Sequence, residues 1–156
     1  MNISSEQLQL DGFSRAGTVF PDAAKTLRVQ IDWPVSGFVV YVMVVGREFK
    51  KAGTTGRNNS TFEGRMRSTF SALRQVIVGA PVGRPPARWR SRRLDPFKQH
   101  APAAILANQQ IELWAQAGPS FEWMIAKEKE LNDKYQGEWT KEGWTKDGKR
   151  RTSGLS

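Results

Sequence analysis

The chain has 156 residues, of which 24 are Lys or Arg and 15 are Asp or Glu, so its formal net charge is +9. This length predicts one domain with one hydrophobic core. The absence of cysteine excludes disulfides, Cys-ligated zinc and a thiol nucleophile, and the single histidine, His100, excludes a cluster of histidine ligands.

The charge and composition indicate a cellular compartment and a class of binding partner. The N-terminus has no basic segment followed by an apolar run, and a chain without cysteine suits a reducing compartment, so we expect a cytoplasmic protein. The longest apolar run, residues 38–45, is far too short to span a membrane. A basic domain of this size commonly binds nucleic acid, although a soluble basic protein without such a partner can carry the same charge.

The first predicted elements are β-strands. Residues 1–36 are interpreted as a partly ordered N-terminal extension with a β-like piece at 27–31. Residues 37–45 are largely apolar, rich in β-branched side chains and bounded by Gly37 and Gly46, which indicates a buried strand. Residues 46–47 then predict a hairpin turn into a second strand at 48–54.

A capping box marks the first predicted helix. Ser60 is a favourable N-cap and Glu63 follows three residues later, so we expect a helix that runs to about Val78. Apolar residues recur there at the helical period, and Arg65 borders their face. The segment 79–98 is rich in Pro, Gly and Arg and is interpreted as a long loop.

Two further elements complete the predicted fold. Residues 104–116 include an alternating apolar pattern that predicts a third strand, and residues 119–135 predict a second helix. Residues 141–156 are interpreted as a flexible basic tail. The order hairpin, helix, loop, strand, helix predicts an α/β (α+β) domain over residues 37–140, with a small three-stranded mixed sheet flanked by helices.

One carboxylate falls on the apolar face of the second helix. At 100° per residue, Glu128 lies in the middle of the face formed by Phe121, Met124, Ile125, Leu131 and Tyr135. A carboxylate that faces a core is costly unless it is paired, protonated or bound to a metal. Glu128 is therefore either half of a buried ion pair with an arginine or a metal ligand, and Mg²⁺ needs few protein ligands.

The first hairpin carries a tyrosine and a lysine that can meet. Tyr41 and Lys51 are ten residues apart in two strands joined by a short turn, so both can approach the same end of the sheet. A neighbouring ammonium favours the phenolate form of a tyrosine. A structural role for Tyr41 is the alternative, because tyrosines in strands commonly pack into cores.

Four segments, in this order, resemble the GIY-YIG nuclease family. Residues 39–41 are similar to its first triplet and keep the tyrosine, Tyr41. Residues 51–53 are similar to its second triplet and keep the glycine, with a lysine in place of the tyrosine, as in a restriction-enzyme branch of the family. Residues 64–70 resemble the helix segment with the family's arginine, and residues 128–140 resemble the segment that begins at its glutamate.

The resemblance implies a GIY-YIG-like fold and four catalytic residues, namely Tyr41, Lys51, Arg65 and Glu128. It implies that Glu128 binds one Mg²⁺ or Mn²⁺ ion and that Arg65 stabilises negative charge on the phosphate. It also implies that Tyr41, helped by Lys51, accepts a proton from the attacking water. Beyond the two altered triplets, the chain departs from the family at Gly137, Thr140 and Thr69, where the family has Pro, Asn and, in some members, His.

The loop at 79–98 supplies candidate contacts to DNA. Its five arginines surround Trp89, so they could bind phosphates while the indole stacks on a base. A solvated basic loop is the alternative. The predicted DNA-binding residues are Arg57, Arg67, Arg84, Arg88, Trp89, Arg90, Arg92 and Arg93.

The function predicted from the sequence is that of a metal-dependent endonuclease that hydrolyses DNA phosphodiester bonds, of a restriction, phage or mobile-element type. One alternative is a catalytically inactive nucleic-acid-binding protein on the same fold. Another is a basic assembly protein that binds an acidic partner, which explains the charge but not Glu128. A lone nuclease domain makes one nick per active site, so double-strand cleavage would indicate a homodimer.

Overall fold

The computed structural model describes residues 1–21, 27–55, 61–74 and 96–140, and within them a five-stranded antiparallel sheet packs against four helices. The strands are β1 (Ser14–Pro21), β2 (Leu27–Ile31), β3 (Phe38–Val45), β4 (Glu48–Thr55) and β5 (Ile111–Gly118), in the spatial order β2-β1-β5-β3-β4. The helices are α1 (Ser5–Leu10), α2 (Phe62–Arg74), α3 (Pro96–Leu106) and α4 (Phe121–Tyr135). The predicted tail, 141–156, lies outside the described residues.

The mixed α+β class is confirmed, but the sheet is larger than the predicted three strands and is antiparallel rather than mixed. Residues 14–21 and 27–31, assigned from the sequence to an N-terminal extension, supply β1 and the edge strand β2, and the β-like piece predicted at 27–31 is confirmed. β1 pairs with β5, with Val19 opposite Ile111, so these strands belong to the same sheet as the hairpin. A register shift between Arg15 and Gly17 interrupts the alternation that would have marked β1 as a strand.

The predicted hairpin is present as β3 and β4. Gly46 has φ of +64° in the turn between the two strands, a backbone conformation that glycine adopts without steric cost. Tyr41 lies opposite Gly53, and the register shifts between Met43 and Val44. This shift leaves Lys50 as the extra residue of β4, because Met43 pairs with Lys51 and Val44 with Phe49.

α2 begins one residue later than its sequence signals predict. The Thr61 hydroxyl oxygen accepts a 3.0 Å hydrogen bond from the Gly64 amide, so Thr61 satisfies an amide of the first turn. The predicted cap, Ser60, and the predicted end near Val78 lie outside the described residues. The predicted inner face is confirmed for the buried side chains of Phe62, Met66, Phe70 and Leu73.

The predicted strand at 104–116 is wrong in its first part. Residues 104–106 belong to α3, and β5 begins only at Ile111. Asn108 ends the helical segment with φ of +62°, and the Gln109 amide donates a 3.0 Å hydrogen bond to the Ala104 carbonyl. A short run of Ala, Ile and Leu fits a helix as well as a strand, and the alternating pattern starts at Ile111.

The helices cover both faces of the central strand β3. Val39, Tyr41 and Met43 face the layer that contains α2 and α3. Val40, Val42 and Val44 face the layer that contains α1 and α4. β3 is therefore buried on both sides, which explains its continuous apolar sequence. None of the helices in the described ranges has the length and apolar character needed to cross a membrane.

Candidate active site

Tyr41 lies in the core layer beneath α2. Its side chain is only 4% exposed, and its ring lies 6.3 Å from the Phe62 ring, centroid to centroid, at a tilt of 53°. A Cβ built on Gly53, directly across the β3–β4 pair, would overlap the hydroxyl and ring of Tyr41. The phenol thus extends across the neighbouring strand, over a position that has no side chain.

Lys51 shares this face of the hairpin with Tyr41. It pairs with Met43, two residues along β3 from Tyr41, and alternate residues of a strand point to the same side. The Lys51 ammonium nitrogen lies 5.3 Å from the centroid of the Phe97 ring on α3, close enough for a cation–π interaction. The structure therefore places Tyr41 and Lys51 on one face of the hairpin.

The two described arginines of the predicted site lie on α2 and are exposed. Arg65 is in the first turn of the helix, three residues after the Phe62 ring that contacts Tyr41. Arg67 donates hydrogen bonds to the Val29 carbonyl on β2, at 3.1 Å, and to the Glu63 carboxylate, at 2.9 Å. The remaining predicted DNA-binding residues lie outside the described residues: Arg57, Arg84, Arg88, Trp89, Arg90, Arg92 and Arg93.

Glu128 lies on α4, which packs on the opposite face of the sheet. Its side chain is half-buried, on the same stripe of the helix as the buried Met124 and Leu131. The helix begins at the Ser120 cap, whose hydroxyl oxygen accepts a 3.1 Å hydrogen bond from the Trp123 amide. The predicted second helix is confirmed, and its apolar face is confirmed for the buried Met124, Leu131 and Tyr135, whereas Phe121 is exposed.

The contacts of α4 with β4 fix the position of Glu128 along the sheet. The Tyr135 ring stacks on Phe49 at the start of β4. The side-chain amide of Asn132 hydrogen-bonds to Ala52, in the middle of that strand. The helix therefore runs antiparallel to the strand. Glu128 is one turn before Asn132, about 6 Å along the helix axis from the pairing with Ala52. The preceding residue, Lys127, forms an ion pair with Asp11, which follows α1.

The predicted catalytic residues approach β4 from its two sides. Tyr41 and Lys51 belong to the α2–α3 layer, and Glu128 approaches from the α4 layer. The structure therefore brings Tyr41 and Lys51 to one face of the hairpin and places Glu128 on the helix that covers the opposite face.

The described part of the chain offers a hard cation few protein ligands. The described residues contain no cluster of three acidic or histidine side chains, so Glu128 would be the main protein ligand. The Thr55 hydroxyl oxygen is buried at the end of β4 and hydrogen-bonds to no described group. Mg²⁺ keeps several waters and commonly binds through one or two carboxylates plus substrate phosphate, so a site with Glu128 alone fits it.

Sequence reasoning missed the polar contacts that hold α4 and the following segment to β4. The Lys50 ammonium lies 2.8 Å from the Glu138 carboxylate and 3.3 Å from that of Glu48, and 5.6 Å from the centroid of the Trp139 ring. This ion pair, chiefly through the hydrogen bond from Lys50, lowers the pKa of Glu138. The sequence signal for such contacts is a polar side chain at the border of an apolar helix face, as at Asn132.

Comparison with solved structures identifies a protein of related architecture. A glutamate-to-alanine mutant of bacteriophage T4 EndoII superposes with a TM-score of 0.58 and 12% identity, over 86% of this chain and 96% of that one. This chain is similar in fold to EndoII. The restriction endonuclease HPY188I in complex with product DNA gives a TM-score of 0.48 and 8% identity, over 88% and 83% of the two chains. No family model and no curated protein matches the sequence.

Proposed function

We propose that this chain is a divalent-metal-dependent endonuclease of the GIY-YIG type that hydrolyses DNA phosphodiester bonds. The observation that carries the proposal is the half-buried Glu128 on a helix that Asn132 joins to β4, the strand whose hairpin carries Tyr41 and Lys51 on its other face. The shared fold with EndoII, a phage nuclease, supports it. The biological setting would be restriction, phage attack on DNA or element mobility.

The residues of the site have complementary roles in this proposal. Glu128 holds Mg²⁺ or Mn²⁺, which supplies Lewis-acid stabilisation of the phosphate and of the leaving oxygen. Arg65, at the exposed start of α2, stabilises the negative charge that develops on the phosphate. Tyr41 accepts the proton of the water whose oxygen bonds to phosphorus as the bond to the leaving oxygen breaks. Lys51 favours the phenolate form that this step needs.

DNA binding in this proposal comes mainly from positive charge. The net charge of +9 favours a polyanion, and each arginine bound to a phosphate releases counterions. The predicted contacts around Trp89 would add stacking on a base. We propose that the protein acts in the cytoplasm, and that two copies act together if both strands are cut.

A catalytically inactive DNA-binding protein is the second candidate function. One observation favours it, because Tyr41 is only 4% exposed and packs against Phe62. A general base must come within hydrogen-bond reach of the water that it deprotonates. On this alternative, Tyr41 is a core residue and the basic surface alone is functional.

An assay of cleavage and binding with and without divalent metal separates the candidates. We expect supercoiled or linear DNA to be cut in Mg²⁺ or Mn²⁺ and left intact in EDTA. Binding, measured by gel shift in EDTA, should persist because it depends on arginine rather than metal. Full cleavage in EDTA would refute the metal assignment, and binding without cleavage in any divalent metal would establish the inactive binding protein.

A further inference from the structure

The side chain of Asn132 binds both polar backbone groups of one residue on β4. Its Oδ1 accepts a 2.9 Å hydrogen bond from the Ala52 amide, and its Nδ2 donates a 3.2 Å hydrogen bond to the Ala52 carbonyl. β4 is an edge strand of the sheet, so these groups face outward from the ladder. Asn132 therefore pairs with Ala52 much as a neighbouring strand would.

This pairing joins α4 to β4 at a single register. A helix that slides by one residue moves about 1.5 Å along its axis and turns by about 100°, which would remove both hydrogen bonds at once. The Thr140 hydroxyl donates a third hydrogen bond to Asn132 Oδ1, at 3.3 Å. The segment after the helix is held as well, because the Trp139 amide donates to the Lys50 carbonyl at 3.0 Å.

The consequence concerns Glu128, which lies one turn from Asn132 on the same helix. Asparagine is a weaker helix former than Ala, Leu, Lys or Glu, because its side chain competes for backbone hydrogen bonds. Here the side-chain amide is hydrogen-bonded to β4, so Asn132 joins α4 to the strand although it does not favour the helix itself. Catalytic and metal-binding groups must be held to within about 0.5 Å of their productive positions.

We propose that Asn132 is a positioning residue, whose pairing with Ala52 fixes where the Glu128 carboxylate lies relative to β4. The inference rests on the proposed function, because it assigns Asn132 to the same metal site. It makes Asn132 part of the support for that site, although the side chain itself binds neither metal nor DNA.

The test is Asn132→Ala, measured for affinity for Mn²⁺ by water-proton relaxation without DNA, for affinity for DNA in EDTA, and for the melting temperature. Loss of a supporting residue typically lowers metal affinity about 10- to 100-fold, and we expect a decrease in this range. The dissociation constant for DNA in EDTA should stay within about twofold, because the binding arginines are on other segments. If Asn132→Ala does not fold, Asn132→Ser takes its place.

Two control variants isolate the pairing. Asp133→Ala removes an exposed polar side chain of the same turn, which forms an ion pair with Lys129 rather than with β4, and it should leave the affinity for Mn²⁺ unchanged. Thr140→Val removes only the third hydrogen bond and keeps both bonds to Ala52, so it should weaken Mn²⁺ binding by a few-fold at most. An unchanged Mn²⁺ affinity in the Asn132 variant, with a lower melting temperature, would overturn the inference and leave a purely structural role.

The same measurements distinguish failure of this inference from failure of the proposed function. Wild-type protein that binds Mn²⁺ but cuts no DNA would refute the endonuclease, and the affinity of the Asn132 variant would still decide the positioning role. Wild-type protein that neither binds Mn²⁺ nor cuts DNA would refute both. Cleavage by the wild type with the same half-saturating Mn²⁺ concentration in the Asn132 variant would refute the positioning role alone.

Discussion

Tyr41 and Gly53 lie directly opposite each other in β3 and β4, and the phenol of Tyr41 occupies the space that a side chain at position 53 would take. Any side chain at position 53 would therefore overlap Tyr41, which explains the glycine. It allows a large ring to cross the hairpin and leaves the neighbouring Lys51 on the same face. The contact links a core residue to the strand on which the candidate site is built.

We expect Gly53→Ala to lower the free energy of unfolding by about 1–3 kcal/mol, the usual cost of forcing extra atoms into a packed core. The added methyl group would displace the Tyr41 ring, because the overlap involves ring carbons as well as the hydroxyl. Urea denaturation measures the change. In a Tyr41→Ala background the same substitution should cost far less, and equal costs in the two backgrounds would show that the contact is unimportant.

Tyr41→Phe tests the proposed general base. The substitution removes one oxygen and keeps the ring that packs against Phe62, so folding should be retained. General-base catalysis is worth about 100- to 10,000-fold in rate. Turnover should therefore fall at least about 100-fold, while the affinity for DNA is unchanged. Single-turnover cleavage of a labelled duplex provides the measurement. A rate near that of the wild type would assign the base to another group.

Glu128→Ala should abolish cleavage and Mn²⁺ binding without unfolding the protein. The helix has its own cap and buries Met124 and Leu131, so it does not depend on a carboxylate within that stripe. Glu130→Ala is the matched control, since Glu130 is exposed on the same helix and pairs only loosely with Lys127, at 3.7 Å. An unfolded Glu128→Ala variant, together with wild-type protein that binds no Mn²⁺, would assign Glu128 to a structural ion pair.

The arginine-rich loop should govern the salt dependence of DNA binding. Replacing two or three of its arginines with alanine should weaken binding and reduce the slope of log affinity against log salt by about 0.9 for each phosphate that is no longer neutralised. Arg47→Ala is a control, because Arg47 is exposed at the hairpin turn, at the opposite end of β4 from Thr55. A slope that does not change would mean that these arginines do not bind phosphate. The variants are drawn from Arg84, Arg88, Arg90, Arg92 and Arg93.

Glu138 should make stability depend on pH through its ion pair with Lys50. The pair lowers the pKa of Glu138 below its ordinary value of 4.5, so folding favours the charged form. The stabilisation is complete above that ordinary value and is lost as the pH falls through the lowered one. Because the Glu138 side chain is 52% exposed, we expect no more than about 1 kcal/mol.

Denaturation of wild type and Glu138→Gln between pH 7 and pH 3 measures this contribution. The two proteins should differ most at neutral pH and converge in acid. In a Lys50→Met background the pH-dependent difference should largely disappear, since the partner charge is gone. A difference that persists in that background would assign the effect to other neighbours of Glu138.

Local sequence determined the parts of the fold whose signals lie within one element or one short turn. The hairpin of β3 and β4 follows from an apolar run, a glycine at the turn and a second strand close behind it. The inner faces of α2 and α4 follow from the helical period, which also placed Glu128 on its stripe. These features depend on neighbours a few residues away, whose spacing the sequence shows directly.

Tertiary structure decided which elements meet and what joins them. Nothing local assigns β1 and β2 to the same sheet as the hairpin, because β1 is joined to it through pairing with β5. Asn132 and Ala52 are 80 residues apart in the chain, and Lys50 and Glu138 are 88 apart. Each of these residues is polar or small and has no periodic signal of its own. Their partners become apparent only when α4 packs beside the edge strand, because hydrogen bonding and charge pairing depend on distance in space rather than on separation along the chain.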